Sequence, residues 1–152
     1  MPTTFGKSDL PSDIEALCSD VIKAAIDVHR EIGPGLLESI YERAMIVELE
    51  RRAVPAQRQV EVPILYRGQR IGDHRIDLLV GSMLVVELKS VTELLPIHAA
   101  QTLTYLRIGR FPLGLLINFN VPLVRHGLRR ILNPQWRSVI VPNASSPRLL
   151  TE

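Results

Sequence analysis

Three ionisable residues stand where a sheet should be apolar. The stretch "RIDLLVGSMLVVELKS", residues 75–90, is two aliphatic runs about Gly81-Ser82, and it carries Asp77, Glu87 and Lys89. Charges inside a sheet are costly unless they neutralise one another or hold something. Two carboxylates a few ångströms apart repel, and a hard divalent cation relieves that by taking an oxygen from each. Mg²⁺ would sit at about 2.1 Å from them and keep several waters. It would acidify one of those waters and offset charge building on a phosphate. Lys89, two residues past Glu87, could face that phosphate, or orient or deprotonate the attacking water. The alternative is a plain strand ion pair between Lys89 and Asp77 or Glu87.

Alternation places Glu87 and Lys89 on one strand face, with Val86 and Leu88 on the other. Asp77 and Glu87 are centred on Ser82. They lie opposite each other only if the loop is odd-numbered or a bulge intervenes. A strict two-residue Gly81-Ser82 turn would send them to opposite faces. Bulges are over-represented beside active sites.

The elements around this hairpin follow from periodicity. Ser12 as N-cap and Glu15 at capping-box spacing start a helix. Ile14, Leu17, Val21, Ala25 and Val28 carry it over 13–32. "GPG" at 33–35 breaks it, and a second helix runs through "LLESIYERAMIVELERRA", with Leu37, Ile40, Tyr41, Ala44, Val47 and Leu49 mostly inward. Pro55 closes it. Three antiparallel strands are expected near 58–66, 70–80 and 83–89. "LPIHAAQTLTYLRIGR" returns to helical spacing, and "FPLGLLINFN" reads as a buried strand. "VRHGLRRIL" is a further strand or a short helix. The order ααβββαβ implies an α/β domain, a mixed sheet flanked by helices. The expected organisation is an N-terminal arm (1–12), one domain (13–142) and a flexible tail (143–152).

More of the chain speaks to the acids. "GLLESIYERA" supplies Gly35, Glu38 and Tyr41; "ELK" lies about fifty residues on; Gln101 and Tyr105 follow at i,i+4 on one helix, ahead of "GLLINF". In this order, with Asp77, the set resembles the bacterial GxxExxY proteins, a branch of the PD-(D/E)XK nuclease-like superfamily. The resemblance covers residues from about 13 to 133. It implies a restriction-endonuclease-like core in which Asp77 and Glu87 bind Mg²⁺ or Mn²⁺ and Lys89 is the catalytic lysine. Glu38 matches the acid on the preceding helix and should reach in beside Lys89. Gln101 with Tyr105 resembles a QxxxY element. Ile76 stands where the superfamily's name has proline. The implied activity is metal-dependent hydrolysis of nucleic acid, DNA favoured.

Other readings stand beside these. Glu38 could simply complement a helix N-terminus, Gly35 serves a turn, and Tyr41 suits a core. Gln101 could hydrogen-bond water or a phosphate with Tyr105 packed beneath it, and His98 suits a cap. His29, His74 and His126 show no metal-ligand spacing with one another or with Cys18, so none is taken as a ligand.

Composition bounds the rest. The 152 residues, 46% apolar and 22% charged, make one ordinary domain with a real core. No apolar run approaches the roughly 18 residues that span a bilayer, and "MPTTFGKSDLPSD" lacks the apolar stretch of a signal peptide. Lone Cys18 excludes an internal disulfide and fits a buried thiol in a reducing cytoplasm. No phosphate loop and no G-x-S-x-G elbow occurs. Residues 1–50 hold 4 basic and 10 acidic groups, residues 51–100 hold 7 and 5, and residues 101–152 hold 7 and 1. The late cations are arginines except Lys89, and arginine suits phosphate. Arg107 and Arg110 are the phosphate-binding candidates, for salt-sensitive backbone contacts without base readout. A homodimer or a partner protein would supply selectivity. The rival function is a nuclease-like binding or interaction module that no longer cuts.

Overall fold

The computed structural model describes Leu10 and residues 12–136. The expected tail therefore lies outside the described residues, as does most of the expected arm. Helix α1 (Ser12–Ile32) buries Ile14, Cys18, Val21, Ala25 and Val28 along one stripe. It starts at Ser12 itself, and Glu15 forms a two-pronged ion pair with Arg130, with Nη1 to Oε2 at 3.0 Å. Gly33 and Gly35, at φ +73° and +89°, turn the chain into α2 (Glu38–Arg51). The inward stripe of α2 is narrower than its composition suggests. Tyr41, Met45 and Leu49 are fully buried at i,i+4 spacing, whereas Leu37, Ile40 and Val47 are exposed. No described helix is long and apolar enough to cross a membrane.

The strands are β1 (Ala56–Tyr66), β2 (Gln69–Val80), β3 (Leu84–Lys89), β4 (Leu113–Asn118) and β5 (Leu128–Leu132), with α3 (Pro96–Gly109) between β3 and β4. The sheet order is β1-β2-β3-β4-β5, and only β3 and β4 are parallel. The undecided stretch "VRHGLRRIL" is both things in turn: a 3-10 turn over Val124–Gly127, then edge strand β5. The sheet thus has one strand more than the expected order. One face packs Leu78, Val80, Val86, Leu88 and Ile117 against α1 and α2, and the other packs Ile76, Leu79 and Val85 against Leu106 of α3.

Two local features position the acids. Val80 pairs with Leu84, so the β2–β3 loop has three residues, Gly81, Ser82 and Met83. Gly81 and Ser82 both take left-handed φ, +57° and +59°, and Met83 N–H donates to Val80 O at 3.2 Å. That is a primed turn plus one residue, and the odd count brings Asp77 across from Glu87. The second feature is a break in the pleat. Ile76 and Leu78 should share a face, yet they join clusters on opposite faces of the sheet. On β1 the pairing steps from Arg58↔Leu78 to Val60↔Ile76 over Gln59, whose φ is +53°. At Asp77 the β2–β3 ladder has stopped, and Leu88 N–H donates to the Asp77 Oδ2 instead, at 2.8 Å.

The glycine turn before α2 is pinned against the end of β3. The Tyr41 hydroxyl donates to Gly33 O at 2.6 Å and accepts from Leu36 N–H at 3.1 Å. Its ring stacks on Phe119, centroids 4.3 Å apart, and Ser90 Oγ donates to Leu36 O at 2.6 Å. Tyr41→Phe keeps the stack and strips both hydroxyl bonds. At about 1–2 kcal/mol it is expected to lower the melting temperature by roughly 3–6 °C in calorimetry; an unchanged melting temperature would show that the loop is held otherwise.

Candidate active site

Asp77, at the break in the pleat of strand β2, lies close enough to Glu87 for that carboxylate to act on it. Burial, then the Glu87 charge, push Asp77 up to about 7; Glu42 adds to this, and the Leu88 N–H opposes it. Glu87 is buried on β3, and its Oε1 stands 3.4 Å from His74 Nε2. The His74 ring is stacked on Tyr105 of α3, nearly parallel at 9°. Lys89, half-buried at the end of β3, takes part in no ion pair or side-chain hydrogen bond among the described residues. The strand ion pair weighed as the alternative is not formed.

The acid that α2 contributes is Glu42. It is buried, accepts from Arg58 Nε at 2.8 Å and from Gln59 Nε2 at 2.9 Å, and its charge acts on Asp77. Glu38, one turn earlier on the same face, is exposed and has no hydrogen-bonded or ionic partner among the described residues. Gln101 is likewise exposed on α3 without a partner among the described residues, and Tyr105 stacks on His74. His98 is a cap: its Nδ1 accepts from Leu95 N–H at 2.9 Å. Arg107 is exposed, and Arg110 ends α3 at φ +61°. Neither is in an ion pair among the described residues, whereas Arg51, Arg52, Arg58, Arg70, Arg75 and Arg130 are all bound to carboxylates. Much of the arginine excess is thus used internally.

Two site residues escaped the sequence reading, Glu42 and His74. Glu42 had a signal, since it sits four residues after Glu38 and so repeats its helix face. His74 is three residues before Asp77, which in a regular strand means the opposite face. Only the break at Asp77 brings it to Glu87.

Among the described residues no group of three or more His, Cys, Asp or Glu is disposed to hold a metal ion. What the site does hold is a pair of close carboxylates, one of them raised by burial and by the charge of the other. Hard oxygen donors of this number suit Mg²⁺ or Mn²⁺ retaining most of its water. A cavity of about 510 Å³ lies elsewhere, lined by His29, Arg30, Pro34, Leu123 and Arg125 among others, and includes none of the site carboxylates.

Searches of curated proteins and of solved structures find no match to the chain. The family model described as the PD-(D/E)XK nuclease superfamily matches residues 15–131, a span that contains Glu42, Asp77, Glu87 and Lys89. Proteins of this superfamily generally use divalent metal ions. By that match over well more than half its length, and by a helix-flanked, five-stranded mixed sheet consistent with a restriction-endonuclease-like fold, the chain belongs to the PD-(D/E)XK nuclease superfamily.

Proposed function

We propose that the protein is a metal-dependent nuclease of the GxxExxY branch that hydrolyses phosphodiester bonds, DNA in preference to RNA. The observation that carries this is the Asp77–Glu87 pair: two adjoining carboxylates, one pushed up to about 7, with a lysine two residues along β3 that pairs with no described acid. Asp77 and Glu87 hold Mg²⁺ or Mn²⁺, which when bound supplies an acidified water and offsets phosphate charge. Lys89 places its ammonium against the phosphate. Glu42, held by Arg58 and Gln59, adds negative potential at Asp77, which favours a bound divalent cation as it favours a proton. Glu38, at the exposed end of the same helix face, orients outer waters of the ion. Gln101 contacts the attacking water or a backbone phosphate from α3. Arg107 and Arg110, which pair with no carboxylate among the described residues, grip the backbone. Gly35 and Tyr41 support the turn against which Ser90 rests. A second copy or a partner protein supplies selectivity.

The test is a cleavage assay over single- and double-stranded DNA and RNA, with Mn²⁺, Mg²⁺ or EDTA, beside melting curves under the same conditions. Metal-dependent cleavage with metal-raised melting is expected. Metal-raised melting without cleavage of any substrate would favour the silent binding module. Absence of both would end the reading. Gln101→Ala, at an exposed position, should leave the melting temperature unchanged and slow cleavage by about tenfold or more. Unchanged kinetics would retire Gln101.

A further inference from the structure

We propose that His74 and Tyr105 are a positioning pair that fixes the Glu87 carboxylate in the orientation in which it meets a divalent cation; this rests on the metal site proposed above. Glu87 is buried near the end of β3, and its nearest acid, Asp77, repels it. A repelled carboxylate on a flexible stem needs something to aim it. Among the described residues, His74 Nε2 is the ring donor within reach of it, 3.4 Å from Oε1. A carboxylate only accepts, so the imidazole donates from Nε2. At 3.4 Å the bond is long and weak, well beyond the usual 2.7–2.9 Å of charge-assisted pairs. It steers Glu87 without saturating it, and a cation can take the oxygen at little cost.

The imidazole is itself held. It lies flat on the Tyr105 ring, with centroids 3.2 Å apart and planes 9° apart, and its side chain is 17% exposed. Tyr105 stands one residue before Leu106, which is fully buried against the sheet, so the platform is anchored to the α3 side of the core. Helix α3 therefore reaches the carboxylates through a ring stack rather than by a direct contact. This gives Tyr105 a task that its spacing from Gln101 does not reveal. Residues that orient a metal ligand typically carry 10- to 100-fold in metal affinity.

The experiment is Mn²⁺ titration of the full chain, read by the paramagnetic resonance of free Mn²⁺, with melting of the metal-free protein alongside. His74→Ala is expected to weaken Mn²⁺ binding by about 10- to 100-fold. His74→Gln, whose amide can donate to the same oxygen, should recover most of that loss. Tyr105→Phe keeps the stack and should bind as wild type does, while Tyr105→Leu should weaken binding several-fold. Near-UV circular dichroism reports which variants are folded; the conservative pair, His74→Gln and Tyr105→Phe, decides the matter should the others fail, and loss of binding in both would overturn the proposal. A fall in melting temperature with Mn²⁺ affinity unchanged in His74→Ala would also overturn it, by making the pair merely structural. Wild-type protein that binds no Mn²⁺ would instead remove the metal site itself, and this inference with it.

Discussion

Lys89→Met is expected to abolish most cleavage, by about a hundredfold or more, while the melting temperature and the Mn²⁺ affinity stay close to wild type. The asymmetry follows from what Lys89 does not touch. It forms no ion pair with Asp77, Glu87 or any other described acid, so its removal orphans no buried charge. Methionine keeps the apolar stem packed at the strand end. That end is rigid: Lys89 pairs with Asn118, whose amide closes the following loop through Val91 N–H at 3.0 Å and Val91 O at 2.9 Å. The backbone that carries Lys89 is thus fixed, and its ammonium has no ionic partner among the described residues. In the proposed reaction its charge would be realised only against the charge that develops on a phosphate. A variant that cuts as fast as wild type would remove Lys89 from the chemistry. One that melts several degrees lower would point to a packing role for the ammonium.

What the sequence showed and hid around this lysine has a physical pattern. The alternation Val86–Glu87–Leu88–Lys89 is a local rule, and β3 obeys it, with Val86 and Leu88 in the α1–α2 core. The long amphipathic stripe of α1 and the all-apolar β4 were equally legible, because each repeats over many residues. The hairpin loop hid its third residue, since Gly81-Ser82 reads as a two-residue turn and only pairing shows that Met83 is left over. Nothing at Gln59 announces a left-handed backbone, as glycine would, so the break opposite Asp77 was invisible, and with it the approach of His74. The choice between Glu38 and Glu42 was tertiary. Both lie on one face of α2, and only contacts with Arg58 and Gln59 show that the second is the buried one. The arginines behave likewise, because ion pairs between distant segments, such as Arg130 with Glu15, do not follow from charge counts. The stretch 124–132 is too short for any period to declare itself.

At Asp77 the expected effect is on stability as well as cleavage, and its sign depends on pH. The carboxyl is pushed up to about 7 from an ordinary value of 3.8. Below that lower value both folded and unfolded chains carry the proton. As pH rises from about 4 to 7 the unfolded chain ionises while the folded one keeps its proton, so the metal-free protein loses stability through that window and stays low above it. Three units set a ceiling of about 4 kcal/mol, of which roughly half survives solvent screening of a part-exposed group. Asp77→Asn imitates the protonated acid: its carbonyl accepts from Leu88 N–H, its amide donates to Glu87, and it cannot ionise. In EDTA at pH 8 the variant should therefore melt above wild type by about 4–8 °C, the two should converge near pH 4, and the slope between should flatten. Mg²⁺ should raise the wild-type melting temperature by mass action and leave Asp77→Asn unmoved, since an amide is a poor substitute for a charged ligand; cleavage should vanish with it. If Asp77 were structural glue, removing its charge would lower the melting temperature in EDTA, and wild type would not respond to Mg²⁺. That pair of results would refute the nuclease reading.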